Sequence, residues 1–133
     1  TFCQYSAVRA NSIFRRLAEH DISFEQLQTQ LQNSHDVHVI LESENGNEIW
    51  SLVALAARLE DVMRQASTSN EPAVLAKYTF SLAKAFNLFY HNHKILAEEN
   101  LVKRAVLATA ADAARRSLIA GLATMGIEVP EKM

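Results

Sequence analysis

Apolar residues return every three or four positions along most of this chain, and only three glycines and two prolines stand among its 133 residues to interrupt them. That period constrains the backbone to helix, because a strand needs strict alternation and a loop needs turn residues. Ala, Leu, Glu, Gln and Arg dominate the middle and C-terminal stretches, and each keeps its rotamer freedom well in a helix. The expected fold class is all-α, a helical bundle of four main helices plus a short one. A chain of this length fits one domain spanning residues 1–133 and buries roughly two thirds of the surface its unfolded form exposes.

Phe2 to His20 places Ala7, Ala10, Phe14 and Leu17 on one stripe and Arg9, Ser12, Arg16 and Glu19 on another, an amphipathic helix. Asp21 to Asn47 is polar. Within it Ser23 and Gln26 have the spacing of a capping box, and Leu27 with Leu31 supports one short helix. The apolar run Val37 to Leu41 fits either regular state, and Glu44 to Asn47 reads as a loop. Ile49, Leu52, Val53, Ala56, Leu59 and Met63 predict one helix from Glu48 to Ala66, broken at Ser67 to Asn70. Pro72 then suits a first helical turn, where its missing N–H has no partner to lose. This third helix should reach about His93 and bury Leu75, Tyr78, Leu82, Phe86 and Phe89. A fourth, from about Asn100 to Met125, packs through Leu107, Ala111, Ala114, Leu118 and Leu122. Its small residues permit close approach, so it is expected at the centre, ended by Gly126 in the left-handed region. Asp112 and Arg116 form an i,i+4 pair worth about 0.2–0.5 kcal/mol.

Several classes of function are disfavoured. The longest apolar run, Leu52 to Ala57, falls far short of the roughly 20 residues of a membrane helix. A lone Cys3 allows no internal disulfide, in keeping with a reducing, cytoplasmic setting. The formal net charge of −2 argues against a broadly basic surface, so any RNA contact is local, and neither DNA nor a membrane is an expected partner. Thr1 in place of Met suggests that something upstream has been removed and that the chain is a piece of a longer protein. No phosphate loop, paired-cysteine metal motif or nucleophile elbow occurs. His91 and His93 point about 200° apart on a regular helix, which prevents them from sharing a metal. Glu98 and Glu99 precede Asn100 at a helix start, where acidic side chains favour the dipole. No catalytic, metal or cofactor site is expected in the chain itself.

Unpaired RNA bases are held by stacking on aromatic or guanidinium planes, with a few polar groups reading base edges. Two faces carry such groups. In the first helix Phe2, Tyr5 and Arg9 are spaced three and four apart, and Arg16 continues the line. In the third, Asn87, Tyr90, His91 and Lys94 share a face beside the Phe86 and Phe89 stripe. Tyr is equally at home at the edge of a core with its hydroxyl in water, so spacing leaves both readings open.

At these places the sequence also resembles a known family. Gln4-Tyr5-Ser6-Ala7-Val8-Arg9 resembles the Gln-Tyr-Ala-x-x-Arg opening of the anticodon-binding (DALR) domain of arginine-tRNA ligases. Glu71-Pro72 with Leu75, Tyr78, Leu82-Ala83, Phe86-Asn87 and Phe89-Tyr90 is similar to that family's third block. Gly126-Ile127-Glu128-Val129-Pro130-Glu131-Lys132-Met133 is similar to its Gly-Ile-x-x-Pro-Glu-Arg-Met terminus. The resemblance implies a domain that binds the anticodon stem-loop of arginine tRNA and presents it to a separate catalytic domain, which would supply ATP and Mg chemistry. By resemblance, Tyr90 and Met133 line the anticodon pocket, and Phe2, Tyr5 and Arg9 approach the loop. Asn87, His91 and Lys94 are added from the shared face alone. Lys132 departs from the family's Arg, keeping charge but losing planar bonding. The adenylate-forming signature motifs of the parent family are absent from this sequence. A related domain of the glycine-tRNA ligase β-subunit and a helical protein-interaction module are the alternatives.

Overall fold

The computed structural model describes residues 2–130. Seven helices follow one another: α1 (Phe2–Glu19), α2 (Phe24–Leu31), α3 (Ser34–Glu42), α4 (Gly46–Ala57), α5 (Leu59–Ser69), α6 (Pro72–Asn92) and α7 (Leu101–Thr124). The described residues contain no strand, and no helix among them is long and apolar enough to cross a membrane.

The all-α expectation agrees with this architecture, but the helix count differs in two places. Polar residues 21–47 form two helices. Ser23 caps α2 with the reciprocal Gln26 bonds of the capping box, and Asn33 caps α3 by accepting from the Asp36 N–H. The run Val37 to Leu41 is therefore helical, with Ile40 turned into the core. Gly46 opens α4 rather than sitting in a loop, and a Cβ there would lie 1.8 Å from the Leu41 carbonyl oxygen. No side chain fits at that junction.

The expected helix from Glu48 to Ala66 is two helices that meet at Arg58. Tyr78 donates its hydroxyl to the carbonyls of Leu55 (2.6 Å) and Ala56 (3.1 Å), and Ser117 donates to Ala56 at 2.8 Å. Those carbonyls would otherwise accept from N–H groups one turn further along a continuous helix. Side chains of α6 and α7 thus stabilise a break that periodicity does not register.

Helix α7 touches α1, α2, α3, α4 and α6 and lies at the centre. Leu107, Ala111, Ala114, Leu118 and Leu122 are all buried, as are Ala105, Ala108 and Ala110. Gly126 adopts φ +77, and the Ile127 N–H bonds back to the Leu122 carbonyl at 2.8 Å, closing the helix as its sequence predicts. Asp112 is buried and receives two bonds from Arg115 and two from Arg116. Arg115 also donates to Asn11 and lies over the Phe14 ring, which in turn stacks on Phe24. This chain of contacts clips α1 and α2 to α7.

Candidate nucleic-acid interface

Helices α1 and α6 lie side by side in the same direction, since their partners advance together along both: Phe2 meets Phe80, while Arg9 meets Asn87 and Tyr90. The inward sides of the two helices carry Ser6, Ala7, Ala10, Ile13 and Leu17 and Leu75, Tyr78, Leu82, Phe86 and Phe89, all buried. What remains outside is basic. α1 carries Arg9, Arg15 and Arg16 against one acid, Glu19, and α6 carries Lys77 and Lys84 with no acid at all. A chain with a formal net charge of −2 therefore concentrates positive charge on one pair of helices.

Arg9 is the centre of this face. Its guanidinium lies 5.1 Å from the Tyr5 ring centroid and 4.9 Å from that of Tyr90, and it donates to the Asn87 side-chain oxygen at 2.9 Å. The Asn87 amide donates in turn to the Ser6 hydroxyl at 2.7 Å. Cation–π attraction and a fixed hydrogen bond hold the planar group in one orientation. It forms no ion pair among the described residues, so its charge is left for a ligand.

Tyr90, half-buried with its ring 6.1 Å from Phe86, borders a pocket of about 290 Å³. Ile13, Arg16, His93, Lys94, Ile95 and Leu96 complete the lining. Two cations and an aromatic thus surround an opening with an apolar floor. The segment after α6 is held by His93, whose buried ring lies 4.8 Å from Phe89 and 3.1 Å from a Glu48 carboxylate oxygen. Asn92 donates to the other oxygen of Glu48 at 2.9 Å. Glu48, in the first turn of α4, thereby fixes the end of α6 and the strand of chain that carries Lys94.

The structure treats the sequence-derived residues differently. Tyr5, Arg9, Asn87 and Tyr90 are brought together, although the Asn87 side chain is committed to Ser6 and Arg9 and serves to position the guanidinium, while Phe2 lies on the same face but further along it, against Phe80. Lys94 lines the pocket, but not as part of the helical face assigned to it: α6 ends at Asn92, and His93 is already extended. His91 is exposed on the last turn and does not line the pocket. Met133 lies outside the described residues. Gln4 donates to the Glu128 carbonyl at 2.9 Å, which sets the tail up to that residue beside the first turn of α1.

Three further residues border the face without an expectation from the sequence that puts them there: Phe80 and Lys84, and His93, which the sequence offers only as a rejected metal ligand. Phe80 and Lys84 lie two and one turns before Asn87 on α6, a spacing that the sequence carries; His93, expected at the end of that helix, has no further sequence signal because its contacts to Phe89 and Glu48 are tertiary. A separate groove, lined by Leu41, Ile49, Trp50, Val53 and Val106, has no cation in its lining and offers no site for a phosphate. Burial pushes the Cys3 thiol up from its ordinary range, so the neutral thiol is favoured there and not a nucleophilic thiolate. Among the described residues no three His, Cys, Asp or Glu side chains group as a metal site requires.

Comparison with known proteins gives this geometry a family. Residues 3–133 match the model of the DALR anticodon binding domain. The arginine-tRNA ligase of Bacteroides thetaiotaomicron is 36% identical over 99% of this chain and 20% of its own length. That of Alkaliphilus metalliredigens is 33% identical over 99% of this chain and 21% of its own. The chain thus spans about a fifth of these curated relatives. A Campylobacter jejuni crystal structure assigned as an arginyl-tRNA synthetase superposes on 99% of the chain and 26% of its own with a TM-score of 0.75 at 20% identity, which supports the fold. The paired α1 and α6 face therefore sits on a chain that belongs to the DALR anticodon-binding domain family.

Proposed function

We propose that this chain binds the anticodon stem-loop of arginine tRNA through the α1 and α6 face, as the C-terminal domain of a cytoplasmic arginine-tRNA ligase whose separate catalytic domain uses ATP and Mg. The observation that carries the reading is Arg9, held between Tyr5 and Tyr90 beside a pocket lined by Arg16 and Lys94. An unpaired base requires a π-face to stack on, and its phosphates require unpaired cations. Tyr5, Arg9, Arg16 and Tyr90 stand on helices, and Lys94 stands in the segment that Glu48 holds through Asn92 and His93. Family membership and the arginine-tRNA ligase relatives support the choice of RNA.

Every arginine codon has G at its middle position, so the matching tRNAs share C at the middle of the anticodon. One cytosine pocket then serves them all. The domain's contribution to aminoacylation is selection and positioning, with no bond made or broken in it. Titrating the chain with an arginine anticodon stem-loop RNA tests this. Tyr90→Ala is expected to weaken binding about 5- to 150-fold, the range for losing one base–aromatic stack. Equal affinity for the variant would remove Tyr90 from the site. Met133, assigned by resemblance, is tested the same way by its deletion, which is expected to weaken binding.

A further inference from the structure

We propose that Phe80, with Phe2 and Lys84, forms a second stacking site for an unpaired base of the same RNA loop, at the end of the face away from the Tyr90 pocket. This rests on the RNA-binding reading above and extends it to residues of α6 that the family motif does not include.

Phe80 and Phe2 are 48% and 43% exposed although neither has a polar group to place in water. Their ring centroids are 5.3 Å apart, tilted by 50°. The Lys84 ammonium lies 5.8 Å from the Phe80 centroid and makes no ion pair among the described residues. An exposed ring beside an unpaired cation matches the two halves of a nucleotide, a base to stack and a phosphate to neutralise. The site is also continuous with the face already described, because Tyr5 stands between Phe2 and Arg9 on α1. From Phe2 to Arg16 the face runs about 21 Å at the rise of a helix. One base in the Tyr90 pocket leaves the Phe80 end of it uncovered. RNA is favoured over a protein partner by charge: residues 2–18 and 72–97 contain no Asp or Glu, so neither helix sets a carboxylate against phosphate along the face, and the tail that Gln4 holds beside the first turn of α1 brings one acid, Glu128, near that end.

The test uses the chain and an arginine anticodon stem-loop RNA with 2-aminopurine substituted in turn at each loop position, whose fluorescence falls when the base stacks. Phe80→Ala is expected to lower affinity about fivefold or more and to abolish quenching at one loop position. Phe80→Trp restores both, since the larger ring keeps the π-face. Lys84→Ala leaves every ring in place and is expected to reduce the salt slope of binding by about 0.7. Helical circular dichroism checks that each variant folds, and loss of fold in Phe80→Ala transfers the decision to Lys84→Ala and Phe80→Trp. Wild-type affinity in Phe80→Ala and Lys84→Ala, with Tyr90→Ala still weakened, overturns the second site and leaves the primary reading standing. A wild-type chain that fails to bind the RNA overturns both.

Discussion

Arg9 is used as a plane as much as a charge. Its guanidinium meets two tyrosine rings and one amide oxygen, contacts that an ammonium on a flexible stem reproduces poorly. Arg9→Lys should therefore weaken RNA binding nearly as much as Arg9→Ala in the stem-loop titration. Wild-type affinity in Arg9→Lys would mean that only the charge matters. Tyr78 shows the opposite use of an aromatic. Its hydroxyl is spent on the Leu55 and Ala56 carbonyls, and burial raises its pKa from 10.0 against the smaller opposing effects of Ser117 and Arg58. Above that ordinary value the unfolded chain gives up the Tyr78 proton while the folded chain holds it. Stability is thus intact below pH 10 and falls as pH rises beyond it. Denaturation midpoints measured on either side of pH 10 should show a smaller alkaline loss in Tyr78→Phe than in wild type. An equal loss in both would assign the effect to other groups.

At the scale of elements, the long stripes were legible. Leu75, Tyr78, Leu82, Phe86 and Phe89 of α6 are buried, as their spacing predicts, and Gly126 ends α7 where expected. The break at Arg58 was not legible, because Leu59 and Met63 continue the apolar period across it, and the donors that permit it come from α6 and α7. Nor could the order of residues 21–47 be read, since few of their residues are buried. Part of it depends on Asp112, where the sequence shows the Arg116 pair but not the longer path through Arg115, Phe14 and Phe24. Asp112→Ala should cost about 1.5–3 kcal/mol, the range for bonds between charged groups, measured by chemical denaturation. Protease cleavage should appear first in residues 20–33. A variant as stable as wild type would show that the clip contributes nothing. The candidate face was half legible: the α1 row and Tyr90 were named from spacing and resemblance, while the pairing of α1 with α6 at fixed register is a tertiary fact.

Over the whole molecule, charge is partitioned. The chain is formally −2, yet the two helices of the face hold five of its thirteen basic residues and one of its fifteen acids. Few phosphates can be met by Arg9, Arg16, Lys84 and Lys94, so the logarithm of affinity should fall with that of salt at a slope no steeper than about 3. A much steeper slope would require a basic surface elsewhere. The proposed role of the face is to read the middle anticodon base. Comparing stem-loops that differ only in that base decides it: C is expected to bind at least about fivefold more tightly than U, G or A, the least that one specific base contact supplies. Equal affinity for all four would contradict anticodon reading and leave a face that holds RNA without selecting it.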